Sequence, residues 1–183
     1  VRADDAPADV PAWVRRMCDR HVGMGADGVL LFTDEGGGVT MRLVNADGGE
    51  AEISANGLRC LAAYRVRAKA VPERHVVTTG AGPKAVEVTA LGNERFRVVT
   101  DLGTPILESG RIPVAKDPPA DRVIDHWLDL GLREVSITAT SMGNPHCAVF
   151  VDTPADDELV RTLGPALETH AFFPRRTNVE FVT

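Results

Sequence analysis

The sequence predicts an α/β (α+β) protein, and three observations carry that reading. Short runs with strand character recur at 29–32, 39–44, 76–79, 85–89, 96–100, 134–140, 147–151 and 177–182. One helix, over 58–69, is apolar around most of its circumference through Leu58, Cys60, Leu61, Ala62, Ala63, Tyr64 and Val66. Such a helix is expected to be buried, with other elements wrapped around it. Aromatic residues are only 5% of the chain, so Val, Leu, Ile and Ala must build the core.

Composition narrows the function class. The 183 residues suffice for one domain or two small ones. A 44% hydrophobic, 25% charged chain packs a core rather than staying disordered. The net charge of -6 argues against a nucleic acid or an anionic membrane as partner. No apolar run reaches membrane-span length, and the acidic start Val1-Arg2-Ala3-Asp4-Asp5 has no signal-peptide core, so a cytoplasmic protein is expected. The absence of an initiator Met suggests a chain that begins inside a longer protein. Cys18, Cys60 and Cys147 are odd in number and far apart, which predicts reduced thiols and no disulfide framework.

Along the chain, 8–20 reads as a helix with Pro11 in its first turn and Val14, Met17 and Cys18 on one face. The glycine-rich turn 23–28 and a buried strand follow. Gly36-Gly37-Gly38 is a hairpin break before a strand in which Val39, Met41 and Leu43 alternate with Thr40 and Arg42. After the helix, which Val71-Pro72 ends, strands come in quick succession. The segment 116–120 holds two prolines and is the expected linker, dividing the chain into 1–115 and 116–183. Beyond it lie a polar segment with Trp127, two strands around Ser141-Met142-Gly143-Asn144-Pro145-His146, and a surface helix over 156–169 interrupted at Gly164-Pro165. A last strand ends the chain without a terminal cap.

Gly23-Met24-Gly25-Ala26-Asp27-Gly28 spells G-x-G-x-x-G, but a helix precedes it and a strand follows. A dinucleotide fingerprint needs the reverse order, so a tight turn with close backbone approach is expected instead. Asn45-Ala46-Asp47-Gly48-Gly49 suits a turn, and Ser54 before Ala55-Asn56-Gly57 suits a helix N-cap. Together they make a small, polar junction between a strand and an apolar helix. Free N–H groups at such a helix start favour a carboxylate, and asparagine amides can hold the amino and carboxylate groups of an amino acid. Gly143-Asn144-Pro145-His146 and Arg176-Thr177-Asn178-Val179-Glu180-Phe181 read locally as a turn and an edge strand. No Cys, His and carboxylate spacing resembles a metal site.

These segments, taken with Cys18-Asp19-Arg20-His21 before the glycine turn, Met41-Arg42-Leu43-Val44 before Asn45, and Thr79-Gly80-Ala81-Gly82, resemble the diaminopimelate epimerase family in the family's own order. The resemblance spans nearly the whole chain. It implies two pseudo-symmetric halves, each a mixed sheet wrapped around a central helix, of which the second is incomplete here. It implies a cofactor-independent isomerase that inverts the α-carbon of diaminopimelate between the LL and meso forms, in lysine and cell-wall precursor synthesis. Two cysteines, each at a helix N-terminus, would face each other across the substrate, one removing the α-proton while the other returns one.

By motif, the resemblance makes Ser54 and His146 the catalytic candidates and Asn45, Ala55, Asn56, Asn144 and Asn178 the substrate-binding ones, with an amino acid as ligand and no metal or cofactor. A homodimer is left open. Three departures accompany it. Ser54 stands where the family has cysteine, and Ala55 stands where it has glycine. The family's opening strand, and its second catalytic cysteine with that helix, are expected before Val1 and after Thr183. Two competing readings follow from Ser54: a family member acting on another amino acid, or a non-catalytic amino-acid-binding paralogue.

Overall fold

The computed structural model describes residues 1–115, 121–131 and 133–183. The expected linker, 116–120, lies outside the described residues. The chain forms two compact units, Val1–Gly103 and Thr104–Thr183.

The first unit is a mixed sheet with a helix on each face. Its strands are β1 (Gly28–Glu35), β2 (Gly38–Asn45), β3 (Glu50–Ala51), β4 (Arg74–Thr79), β5 (Gly82–Gly92) and β6 (Arg95–Thr100). They run in the order β1-β2-β4-β5-β6, with β3 paired to β2. β1 and β2 pair antiparallel from Gly28↔Asn45 to Glu35↔Gly38. Their turn is Gly36-Gly37, both at positive φ, the two-residue hairpin geometry that glycine adopts without strain. β2 and β4 pair in parallel, so the chain between them must cross over the sheet, and a helix makes that crossing.

Neighbouring residues of one strand point to opposite faces, which is how β1 serves two cores. Leu31, with Val44, packs on Val10, Val14 and Cys18 of α1 (Val10–Cys18). Phe32, with Val39, Met41, Val77, Val86 and Val88, packs on Leu58, Leu61 and Ala62 of α2 (Ala55–Arg67). Each fully buried Leu or Val there contributes roughly 1.5–3 kcal/mol.

α2 is more one-sided than its composition predicts. Leu58, Leu61, Ala62 and Arg65 are buried, whereas Asn56, Cys60 and Tyr64 are exposed. The reason lies in Arg65. Both its Nε and a terminal nitrogen donate to the Asp34 carboxylate of β1, and its guanidinium lies 4.8 Å from the Phe32 ring centre and 5.5 Å from that of Tyr64. A charge therefore takes the fourth inward position, and Tyr64 stands beside it with one side in water.

The second unit has strands β7 (His126–Asp129), β8 (Glu134–Ser141), β9 (Pro145–Phe150) and β10 (Asn178–Val182), ordered β10-β9-β8-β7. β9 and β10 are parallel, joined through α3 (Asp157–Glu168). Ile137, Ala139, Cys147, Val149, Leu163, Leu167 and Phe173 form its core. β7 is the segment read as merely polar. Only Leu128 of its four residues is buried, so it carries too few apolar positions for alternation to show. α3 runs unbroken through Gly164-Pro165, where an interruption was expected. Pro165 gives up one helix hydrogen bond, but Gly164 has no Cβ to clash with the proline ring, which is what normally forbids helix before proline. Leu163 and Leu167 anchor the helix on either side of the pair. Among the described residues no helix is long and apolar enough to cross a membrane.

Candidate active site

In the first unit the candidate residues gather at the start of α2. Ser54 is the N-cap, in extended conformation (φ -126°, ψ 114°). Its Oγ accepts the Gly57 N–H at 3.1 Å, and its carbonyl accepts the Leu58 N–H at 2.8 Å. Capping leaves two of the orphan donors unclaimed: among the described residues the Ala55 and Asn56 N–H groups have no acceptor. The half-buried Ser54 hydroxyl thus stands beside two free N–H groups at the positive end of a 13-residue helix. Asn56 is exposed, and its Oδ1 takes a hydrogen bond from Arg59. A Cβ at Gly57 would lie 3.2 Å from both Leu30 Cδ1 and Ser54 Oγ, so glycine lets the serine reach its N–H while the helix end packs on β1.

Thr79-Gly80-Ala81-Gly82 supports this helix start. The Ala81 N–H donates to the Glu52 carbonyl at 3.1 Å, and the Thr79 hydroxyl donates to the Gly82 carbonyl at 2.9 Å. A Cβ on Gly80 would sit 3.0 Å from Glu52 Cα and O. The β4–β5 turn is thereby clamped on the residues leading into Ser54.

Asn45 ends β2. Its N–H donates to the Gly49 carbonyl and its carbonyl accepts from Gly48, each at 2.8 Å, so the backbone is fully used by the turn. Its half-buried side-chain amide makes no hydrogen bond among the described residues and is free for a ligand. The glycine-rich loop holds this strand end: Ala46 N–H donates to the Asp27 carbonyl at 2.9 Å, and a Cβ at Gly28 would lie 2.8 Å from the Val44 carbonyl oxygen. The loop is a close-approach turn packed on backbone, in keeping with the helix-before-strand order.

The second unit gathers Asn144, His146 and Asn178 at one end of the β9–β10 pair. His146 Nε2 lies 3.0 Å from Asn144 Oδ1, and its Nδ1 lies 2.6 Å from Glu180 Oε1. Asn178 is the register partner of His146, and its Nδ2 donates to the Pro145 carbonyl at 3.0 Å. That bond ties the start of β10 to β9 and leaves the Asn178 amide oxygen for a ligand. Glu180 was not singled out from the sequence. The available signal was the i, i+2 spacing from Asn178, which places both on one face of a strand.

The cysteines offer no substitute acid or base in this unit. Cys147 is fully buried, and burial, aided by the Glu180 carboxylate, pushes its thiol up to about 12. It is a core side chain. In the first unit Cys18, the last residue of α1, is buried, and Cys60 of α2 is exposed. Among the described residues no group of three or more His, Cys, Asp or Glu side chains is placed to hold a metal ion.

Comparison with known proteins bears on the family and the fold. The family model for diaminopimelate epimerase matches residues 3–108. A diaminopimelate epimerase from Pelotomaculum thermopropionicum is 44% identical over 178 residues, covering 96% of this chain and 62% of that protein. Another, from Cyanothece sp., is 40% identical over 187 residues, covering 99% of this chain and 65% of that one. The chain therefore spans less than two thirds of the length of these relatives. Among solved structures, a hydroxyproline epimerase from Agrobacterium vitis matches with a TM-score of 0.59 at 13% identity, over 88% of this chain and 51% of that one. At that identity the likeness shows the shared fold.

Proposed function

The chain belongs to the diaminopimelate epimerase family, and from that premise we propose that the protein containing it interconverts LL- and meso-diaminopimelate by moving the α-proton without a cofactor. Such an activity serves lysine and cell-wall precursor synthesis. The observation that carries the reading is the start of α2, where the Ala55 and Asn56 N–H groups are unclaimed beside the Ser54 hydroxyl. These donors and the helix dipole bind the substrate α-carboxylate, which brings the α-carbon next to Ser54. The free amide of Asn45, in the same unit, is suited to another polar group of an amino acid, and in the second unit, taken by itself, the amide oxygen of Asn178 is likewise open to a ligand. Hydrogen bonds to the carboxylate also stabilise the charge that develops as the α-proton leaves, and that charge is the main barrier.

Ser54 limits this site as an acid–base group. A thiol has a pKa of about 8.5 and a serine hydroxyl is a far weaker acid. Ser54 is therefore protonated at neutral pH: it can donate a proton to its face of the α-carbon, and it can remove one only if another group takes the hydroxyl proton. The opposite face needs a second acid–base group, which the family resemblance assigns to a cysteine in the part of the relatives' length that this chain does not span.

The test is α-proton exchange from diaminopimelate in deuterated water, using the protein as its gene encodes it. Exchange is expected, and Ser54→Cys should raise it by about 10²-fold or more, in the range of a positioned acid–base group. If neither version exchanges the proton while amino-acid binding persists, the protein is a binding paralogue. Exchange confined to a different amino acid would instead make it an isomerase of altered substrate.

A further inference from the structure

His146 is held from both sides, and the two holds differ in kind. On one side lies Asn144, whose amide can present either its oxygen or its nitrogen to Nε2. On the other lies Glu180, whose carboxylate accepts only. Nδ1 lies 2.6 Å from the Glu180 carboxylate, and against an ionised, acceptor-only carboxylate that separation is satisfied when Nδ1 carries the proton.

The strand register explains why this pair forms. Asn178 pairs with His146 and Glu180 pairs with Ala148. These four side chains share one face of the ladder, while Cys147 and Val149 point into the core. Ala148 is the direct partner of Glu180, and its single methyl group leaves the longer carboxylate free to lean back along β9 to the imidazole. Among the described residues Glu180 has no other hydrogen-bond partner. A glutamate on a half-exposed strand face gains little by facing an imidazole rather than water, so this geometry is better explained by what it does to the ring.

We propose that Glu180 is a positioning residue: it holds the proton of His146 on Nδ1 and fixes the plane of the ring, so that Nε2 is left as an acceptor, for the Asn144 amide turned with its nitrogen toward the ring in the free protein and for a substrate N–H when one is bound. In water a neutral histidine favours the opposite tautomer, with its proton on Nε2. A carboxylate on Nδ1 reverses that choice, by the same logic with which carboxylates orient functional imidazoles elsewhere. The part of the proposal concerning substrate rests on the epimerase reading above. The part concerning the ring does not.

The experiment is ring-nitrogen NMR on the protein as its gene encodes it, labelled with 15N-histidine and assigned by the signals lost in His146→Asn. In the neutral ring, His146 is expected with Nδ1 protonated and Nε2 bare. Glu180→Gln should move the proton toward Nε2, because a glutamine amide can donate to Nδ1. Glu180→Asp, which keeps an acceptor-only group, should retain the original tautomer. A wild-type ring protonated on Nε2, or a tautomer unchanged in Glu180→Gln, would overturn the proposal. Should Glu180→Gln fail to fold, the wild-type and Glu180→Asp spectra decide it alone. On the same samples, α-proton exchange from diaminopimelate should fall by about 10–100-fold in Glu180→Gln and recover in Glu180→Asp, as for other groups that orient a functional imidazole. A changed tautomer with undiminished exchange would overturn the part assigned to the ring in the reaction while leaving its control by Glu180 in place.

Discussion

At Gly23 a single hydrogen atom decides whether the loop leading to Asn45 can close. A Cβ there would lie 2.2 Å from the Arg16 carbonyl oxygen, 2.6 Å from that of Met17 and 2.8 Å from that of Asp19. These carbonyls lie at and just past the end of α1, and the loop satisfies two of them: Gly23 N–H donates to Asp19 at 2.9 Å and Met24 N–H to Met17 at 2.9 Å. Because every clash is with backbone, no rotamer change relieves it. Gly23→Ala is therefore expected to destabilise the first unit by about 1–3 kcal/mol, the range for forcing extra atoms into a packed site. Urea unfolding measures this, and an unchanged midpoint would show that the loop relaxes freely. The letters G-x-G-x-x-G were visible in the sequence, as was the reversed order of helix and strand that speaks against a dinucleotide. Which backbone the glycines approach was not visible, since that depends on where α1 ends. Ser54 as an N-cap was equally legible, because its role needs only the three residues that follow it. Glu180 was not, because its partner lies 34 positions away and meets it only through a parallel strand pairing.

Among the elements, β4 carries a titratable group where a sheet can least accommodate a charge. His75 is buried, its Nδ1–H donates to the Pro72 carbonyl at 2.9 Å, and its Nε2 is buried with no partner among the described residues. Protonation would place a cation with an unsatisfied N–H inside the unit. Burial accordingly holds the folded-state pKa below the ordinary value of 6.5, against a smaller opposing effect of the Pro72 carbonyl. The unfolded chain thus binds more protons than the folded one in the window just below pH 6.5. Stability from this residue is fully present above that value and declines as the pH falls from it toward the lowered folded pKa. His75→Phe should flatten the unfolding free energy between pH 7 and pH 5.5, and parallel wild-type and variant curves through that window would refute the assignment. β2 was legible, since Val39 and Met41 are buried as its alternation predicts, whereas β4 buries His75 and Thr79 beside Val77 and leaves Val76 exposed, which its apolar residues do not show. α2 was legible as a helix but not as a one-sided one. Its composition could not reveal that Arg65 turns inward, because the Asp34 carboxylate that makes this tolerable lies on another strand.

For the whole molecule, the two units have separate hydrophobic cores, and that arrangement has a measurable consequence. Leu58 is fully buried among Phe32, Met41, Val77 and Val88, all within Val1–Gly103. Leu167 is fully buried among Ile137, Cys147, Val149 and Phe173, all within Thr104–Thr183. Family membership was legible because its motifs are short, local and spread through both units. Which buried side chains become neighbours within each half was not, because that depends on which strands pair. Truncating either leucine to alanine removes its burial and leaves a cavity, at a cost of about 2–5 kcal/mol. Since neither side chain shares a core neighbour with the other, each loss should be felt first by its own unit. Native-state hydrogen exchange separates the cases, because it reads the opening free energy of each strand. Leu58→Ala is expected to speed exchange in β2, β4 and β5 while β8 and β9 keep their protection, and Leu167→Ala should do the reverse. Equal acceleration of both sheets by either variant would mean that the two cores open as one cooperative body, despite having no residue in common.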